Sequence, residues 1–133
     1  MNISYDQAAS ALSAAIAKAK ELNIPVSIAI VDTGGHLVAF GRWNSVYGVA
    51  DFALKKAKTA VMFGVDSDVI GNIIAGAGLN GYSMINANGG LLTIAGGVTI
   101  QNKDGNIIGA IASSGGTPEQ DKEIAMAGAR GDY

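Results

Sequence analysis

The stretch Ile107-Ile108-Gly109-Ala110-Ile111-Ala112-Ser113-Ser114-Gly115-Gly116-Thr117-Pro118-Glu119-Gln120-Asp121 constrains the fold more than any other part of the chain. Its apolar run predicts a strand over Ile107 to Ser113, and Ser-Ser-Gly-Gly is loop chemistry. Thr117 can cap a helix, Pro118 suits the first helical position, and Gln120 completes a capping box. A strand therefore feeds straight into a helix N-terminus, where bare backbone N–H groups can meet a small polar or anionic ligand. Glu119 and Asp121 fall in that same first turn, where they complement the helix dipole and would repel a phosphate. The glycine loop is better matched to close approach by a neutral or flat ligand, or by a neighbouring subunit.

The remaining elements follow from periodicity and turn signals. Ser4 to Leu22 reads as a helix, with Ala8, Ala11, Leu12, Ala15, Ile16 and Ala19 on one stripe. Ser4 and Gln7 make a capping box there, and Asn23 stops the helix ahead of Pro25. Pro25 to Val31 is almost wholly apolar and reads as a central strand buried on both faces. Asp32-Thr33-Gly34-Gly35 turns it into a second strand, His36 to Phe40. Val49 to Phe63 has helical period with Phe52, Ala53, Ala57, Ala60 and Val61 facing inward, and a further helix spans Ser67 to Ala75 until Gly76 through Gly81 break it. Leu91 to Ala95 and Val98 to Gln101 read as short strands, and Asn102-Lys103-Asp104-Gly105-Asn106 is a hairpin turn into the strand from Ile107. The last helix should reach about Ala127. The expected architecture is α+β, a five-stranded and mainly antiparallel sheet flanked by helices.

A length of 133 residues fits one domain spanning 1–133. Nearly half the residues are apolar and 15% are charged, yet no apolar run reaches the length needed to span a bilayer. That shortage of polar surface is the composition of a soluble chain that buries part of its surface in a homo-oligomer. Nine basic residues spread along a slightly acidic chain argue against nucleic-acid binding. The absence of cysteine excludes disulfides and thiolate metal sites. The first residues show no secretory signal, so a cytoplasmic protein is expected.

Three segments resemble the GlcG/HbpS-like family, also found as the C-terminal domain of PduO-type proteins. Val31-Asp32-Thr33-Gly34-Gly35-His36-Leu37-Val38 followed by Arg42 matches V-D-x-G-G-x-L-V with a nearby arginine. Lys56-Ala57-Lys58-Thr59-Ala60 matches K-A-x-T-A on a helix. Gly89-Gly90, then Gly109, then Ser114-Gly115-Gly116 with Gln120-Asp121 match a glycine pair followed by S-G-G…Q-D. Together they cover nearly the whole chain in register. The resemblance implies a profilin-like fold and homo-oligomers. It links some relatives to haem binding or degradation and others to corrinoid-dependent diol or glycerol metabolism or glycolate use. Two positions depart from the family pattern: Leu91-Leu92-Thr93 replaces a proline after the glycine pair, and Trp43-Asn44 follow the arginine instead of methionine and an acid.

The candidate ligand-binding residues are Arg42, Lys56, Thr59, Gly89, Gly90, Gly115 and Gly116. Arg42 can pair with a carboxylate, propionate or phosphate, or simply end its strand in solvent. Lys56 and Thr59 lie three apart on one helix face and can address one ligand; alternatively Lys56 snorkels to water. His36, the lone histidine, reads first as a turn-flanking residue, and is also the imidazole available as a possible haem ligand. Tyr47, Met62, Tyr82 and Met84 are alternatives that packing explains equally well. With one histidine and no cysteine, no metal cage is expected. Ser113 and Ser114 lack the Gly-x-Ser-x-Gly setting of a nucleophile elbow. The leading expectation is therefore a homo-oligomeric small-molecule binding protein, for haem, a corrinoid or a small hydroxy acid or aldehyde. An enzyme or enzyme accessory acting on a small oxygenated metabolite, and a non-catalytic assembly module, stay open beside it.

Overall fold

The computed structural model describes residues 1–133. Helix α1 (Tyr5–Leu22) leads into a hairpin of β1 (Val26–Val31) and β2 (Leu37–Trp43). Helices α2 (Gly48–Phe63) and α3 (Ser67–Gly76) follow, then two short 3-10 turns over Gly78–Met84 and Ala87–Gly89. A second hairpin, β3 (Gly97–Gln101) and β4 (Ile107–Ser114), runs into α4 (Pro118–Ala129).

The sheet has four strands in the order β2-β1-β4-β3, with every neighbouring pair antiparallel. This corrects the five strands expected from sequence. Leu91 to Ala95 is the segment that fails to join. Its amides are taken elsewhere, Leu91 N–H by the Ile85 carbonyl and Leu92 N–H by the Thr59 hydroxyl. Leu91 itself packs on Ile70 and Ile74 of α3. The apolar run is thus spent on sealing a small helix-side core, not on a sheet edge.

Both hairpins are built by the same device, an Asx side chain that gathers the turn. Asp32 Oδ1 accepts from the amides of Gly34 and His36, and Asn102 Oδ1 from those of Asp104 and Asn106. Both predicted capping boxes are present, Ser4 with Gln7 on α1 and Thr117 with Gln120 on α4. Asn23 adopts the left-handed conformation that ends α1.

Strand β1 is buried along its whole length and divides the interior in two. On one face Val26, Ile28 and Ile30 meet the alanine stripe of α1 (Ala8, Ala11, Ala15, Ala19) and Ile124 and Ala125 of α4. On the other, Val31, Ala110 and Ala112 meet Ala57 and Ala60 of α2. Small residues on both sides bring α2 so close to the sheet that a Cβ on Gly97 would strike the Lys56 carbonyl. Phe52, expected to face inward on α2, is instead 49% exposed. The alanines already fill the narrow gap to the sheet, and an aromatic ring does not fit there.

Candidate functional sites

Two clefts flank α2, one holding His36 and the other Lys56, Gly115 and Gly116. The first lies against the β1–β2 turn. Thr33, Gly34, Gly35 and His36 form one wall and Lys58, Val61, Met62 and Asn88 the other, around a volume of about 560 Å³. The His36 ring lies over Gly34, where a Cβ would sit 2.7 Å from its Cε1. His36 Nδ1 is 3.1 Å from Asp32 Oδ1. A carboxylate only accepts, so Nδ1 is the donor and Nε2 is left bare as an acceptor or ligand atom. The amide and imidazole of His36, with the Gly34 amide, hold the Asp32 carboxyl below its usual range. Asn88 reaches the sulfur of Met62 with its side-chain amide at 3.0 Å, which closes the far end of the cleft.

The second cleft lies at the Ser-Ser-Gly-Gly loop. Val49, Phe52, Lys56, Leu92, Ile94, Ser114, Gly115, Gly116, Pro118 and Asp121 enclose about 310 Å³. Lys56 does not snorkel to water: its side chain is only 2% exposed. Its ammonium donates to the Ser113 carbonyl at 3.0 Å and to Asp121 Oδ2 at 3.1 Å. The other oxygen, Asp121 Oδ1, accepts from the Gly116 amide at 2.9 Å. One carboxylate thus ties α2 and the glycine loop to the first turn of α4. Burial lowers the Lys56 pKa, and the charge and hydrogen bond of Asp121 act in the opposite direction.

The predicted ligand-binding set is therefore divided. Lys56, Gly115 and Gly116 meet at the second cleft. Thr59 is buried, donating to the Lys55 carbonyl and accepting from the Leu92 amide. Arg42 lines neither cleft; its Nε donates to the Ser45 carbonyl at 2.9 Å. Gly89 and Gly90 adjoin Asn88 of the first cleft, and a Cβ on Gly90 would sit 3.2 Å from the Lys55 ammonium. Three residues escaped the sequence reading: Asp121 as the partner of Lys56, and Lys58 and Asn88 as walls of the His36 cleft. For Asp121 a signal existed, since a lysine set among alanines of an inward stripe needs an acid to neutralise it.

Residues 3–130 match the model of the family described as haem degrading protein HbpS-like. The chain belongs to the HbpS-like family. A 15.0 kDa protein from the dhaT-dhaS intergenic region of Citrobacter freundii is 35% identical to this HbpS-like chain over 111 residues, 82% of this chain and 77% of that one. The corrinoid adenosyltransferase PduO of Citrobacter freundii is 32% identical over 127 residues, 94% of this chain. The HbpS-like chain spans only 37% of the length of that PduO. Among solved structures, a PduOC:heme complex is 30% identical with a TM-score of 0.84, covering 96% of this chain and 93% of that one. A Streptomyces reticuli HbpS double mutant is 27% identical with a TM-score of 0.87, covering 97% of this chain and 86% of that one.

Proposed function

We propose that this HbpS-like chain is a homo-oligomeric haem-binding protein and that the haem site is the His36 cleft. The observation that carries the reading is the His36 imidazole. Its Nδ1 is held by Asp32, its Nε2 is bare, and its side chain is 81% exposed at the mouth of the largest cleft. A carboxylate on the far nitrogen fixes the tautomer and raises the basicity of the ligating one. Val61 and Met62 offer apolar contact for a macrocycle face, and Lys58 a cation for a propionate. These residues fit one side of a haem. When bound, haem supplies an iron centre whose behaviour is set by its axial ligand and surroundings. The kinship to a protein solved as a heme complex supports the choice of ligand. The kinship to PduO makes a corrinoid the macrocycle to test beside it.

Haemin titrated into the pure protein is expected to give a sharp, saturable Soret shift. His36→Ala should weaken binding by about tenfold or more, on the scale of losses from damaged metal-ligand shells. A binding curve and Soret position identical to wild type in His36→Ala would remove the residue as ligand. Cobalamin in a parallel titration distinguishes the two macrocycles.

Self-assembly follows from the outer surface of α2, α3 and the 3-10 turns. Tyr47, Phe52, Met62, Phe63, Ile73, Leu79 and Tyr82 are all exposed there, far more large apolar surface than the α1–α4 side leaves open. Patches of this kind mark interaction surfaces. Light scattering should give a mass several times 13.4 kDa, and a monomer at micromolar concentration would sink this part of the proposal.

A further inference from the structure

We propose that the second cleft binds a small neutral molecule with an apolar body and an oxygen head, such as a ketone, aldehyde or alcohol. The cleft shares no lining residue with the His36 cleft, so the inference is independent of the haem reading. Its walls are apolar: Val49 and Phe52 of α2, Leu92 and Ile94 of the connector, and Pro118 of α4. Its floor is polar and incompletely paired. Ser114 lines the cleft at 3% exposure, and its hydroxyl makes no hydrogen bond within the protein, which leaves it free to meet a ligand there. Lys56 uses two of the three N–H bonds of its ammonium, on Ser113 and Asp121, and the third has no protein acceptor. Two donors at the floor of an apolar-walled cleft are a receptor for an oxygen atom.

The charge pattern selects a neutral head. Lys56 and Asp121 cancel, and both Asp121 oxygens already accept, one from Lys56 and one from the Gly116 amide. A carboxylate ligand would have to compete with Asp121 for the ammonium, and a cation would find no carboxylate free. About 310 Å³ lies at the small end of ligand sites and suits a single small molecule, not a macrocycle.

The test uses four probes with one apolar body: cyclohexanone, cyclohexanol, cyclohexanecarboxylate and cyclohexylammonium. They are titrated into the whole protein and followed by methyl and amide NMR. Saturable shifts are expected at the methyls of Leu92 and Ile94 and the amides of Gly115 and Gly116 with the ketone and the alcohol. The two charged probes should bind at least tenfold more weakly. Ser114→Val should weaken cyclohexanone by about three- to tenfold, the range for one hydrogen bond. Leu92→Trp, which fills the mouth, should abolish its binding, and this variant carries the test if Ser114→Val does not fold. Neither change should alter the haemin titration, which keeps the two clefts' outcomes separate. Carboxylate binding as tight as ketone, an unweakened Ser114→Val, or shifts scattered over the exposed apolar surface without saturation would each overturn the proposal.

Discussion

Replacing Lys56 by methionine should cost about 3–5 kcal/mol of folding stability, because it leaves the Asp121 carboxylate buried without a counter-charge. Urea denaturation should show a lower midpoint at unchanged slope. The cost comes mainly from the orphaned partner, so the double variant Lys56→Met with Asp121→Asn should regain most of the loss. Asparagine can still accept the Gly116 amide that Asp121 Oδ1 now holds. A double variant no more stable than Lys56→Met alone would show that the ammonium acts through its bond to Ser113, not through the acid. The pH dependence has a definite sign. In the folded protein Lys56 gives up its proton below its ordinary value of 10.5, because burial penalises the charged form. Between that lowered value and 10.5 the unfolded chain holds more protons, so the Lys56 contribution to stability rises with pH across that window. Lys56→Met should flatten this rise.

Gly96→Ala should be nearly as damaging and attack the same cluster from the sheet side. A Cβ there would lie 2.6 Å from the Ser113 carbonyl oxygen and 2.8 Å from the Lys56 ammonium. Gly96 also has φ +133, outside the usual range of side chains with a Cβ. Backbone strain and overpacking each cost about 1–3 kcal/mol, so a combined loss of about 3 kcal/mol is expected. Thermal melting reads it. Gly48→Ala is the control, since a Cβ at Gly48 meets nothing within 4 Å and the residue opens α2 with negative φ. Equal melting temperatures for the two variants would show that the Lys56 pocket relaxes around a methyl group.

These effects converge on one knot. Lys56 comes from α2, Ser113 from β4, Gly96 from the approach to β3 and Asp121 from α4. The polar knot sits where the layers meet at one end of the sheet. Lys56 thus holds the helices in register and also presents a donor to the cleft. The His36 cleft has no such burial: its histidine and lysine are exposed, and the histidine is held from one side only, by Asp32 of its own hairpin.

The hairpin that carries His36 was legible because its bonds are local. Asp32 organises residues two and four positions on, and the V-D-x-G-G spacing states this directly. The same locality explains why both capping boxes and the buried β1 strand could be read from residue order alone. Leu91 to Ala95 could not be read. An apolar run of strand length is compatible with a sheet edge or with packing beneath a helix, and only the position of α3 and Thr59 decides. Phe52 failed for a related reason, since helical period places it beside the buried stripe but does not report how close the sheet lies.

The sequence by itself determined the local elements, their order, the absence of cysteine chemistry and the family, because capping, turn formation and periodicity act over a few residues. Only the tertiary structure decided that the sheet stops at four strands and that His36 lies in one cleft and Lys56 with Gly115 and Gly116 in another. It alone turned Lys56 inward onto Asp121, 65 residues away. A buried charge must find its opposite wherever folding brings one within reach, and that distance is set by the packing of layers, not by spacing along the chain.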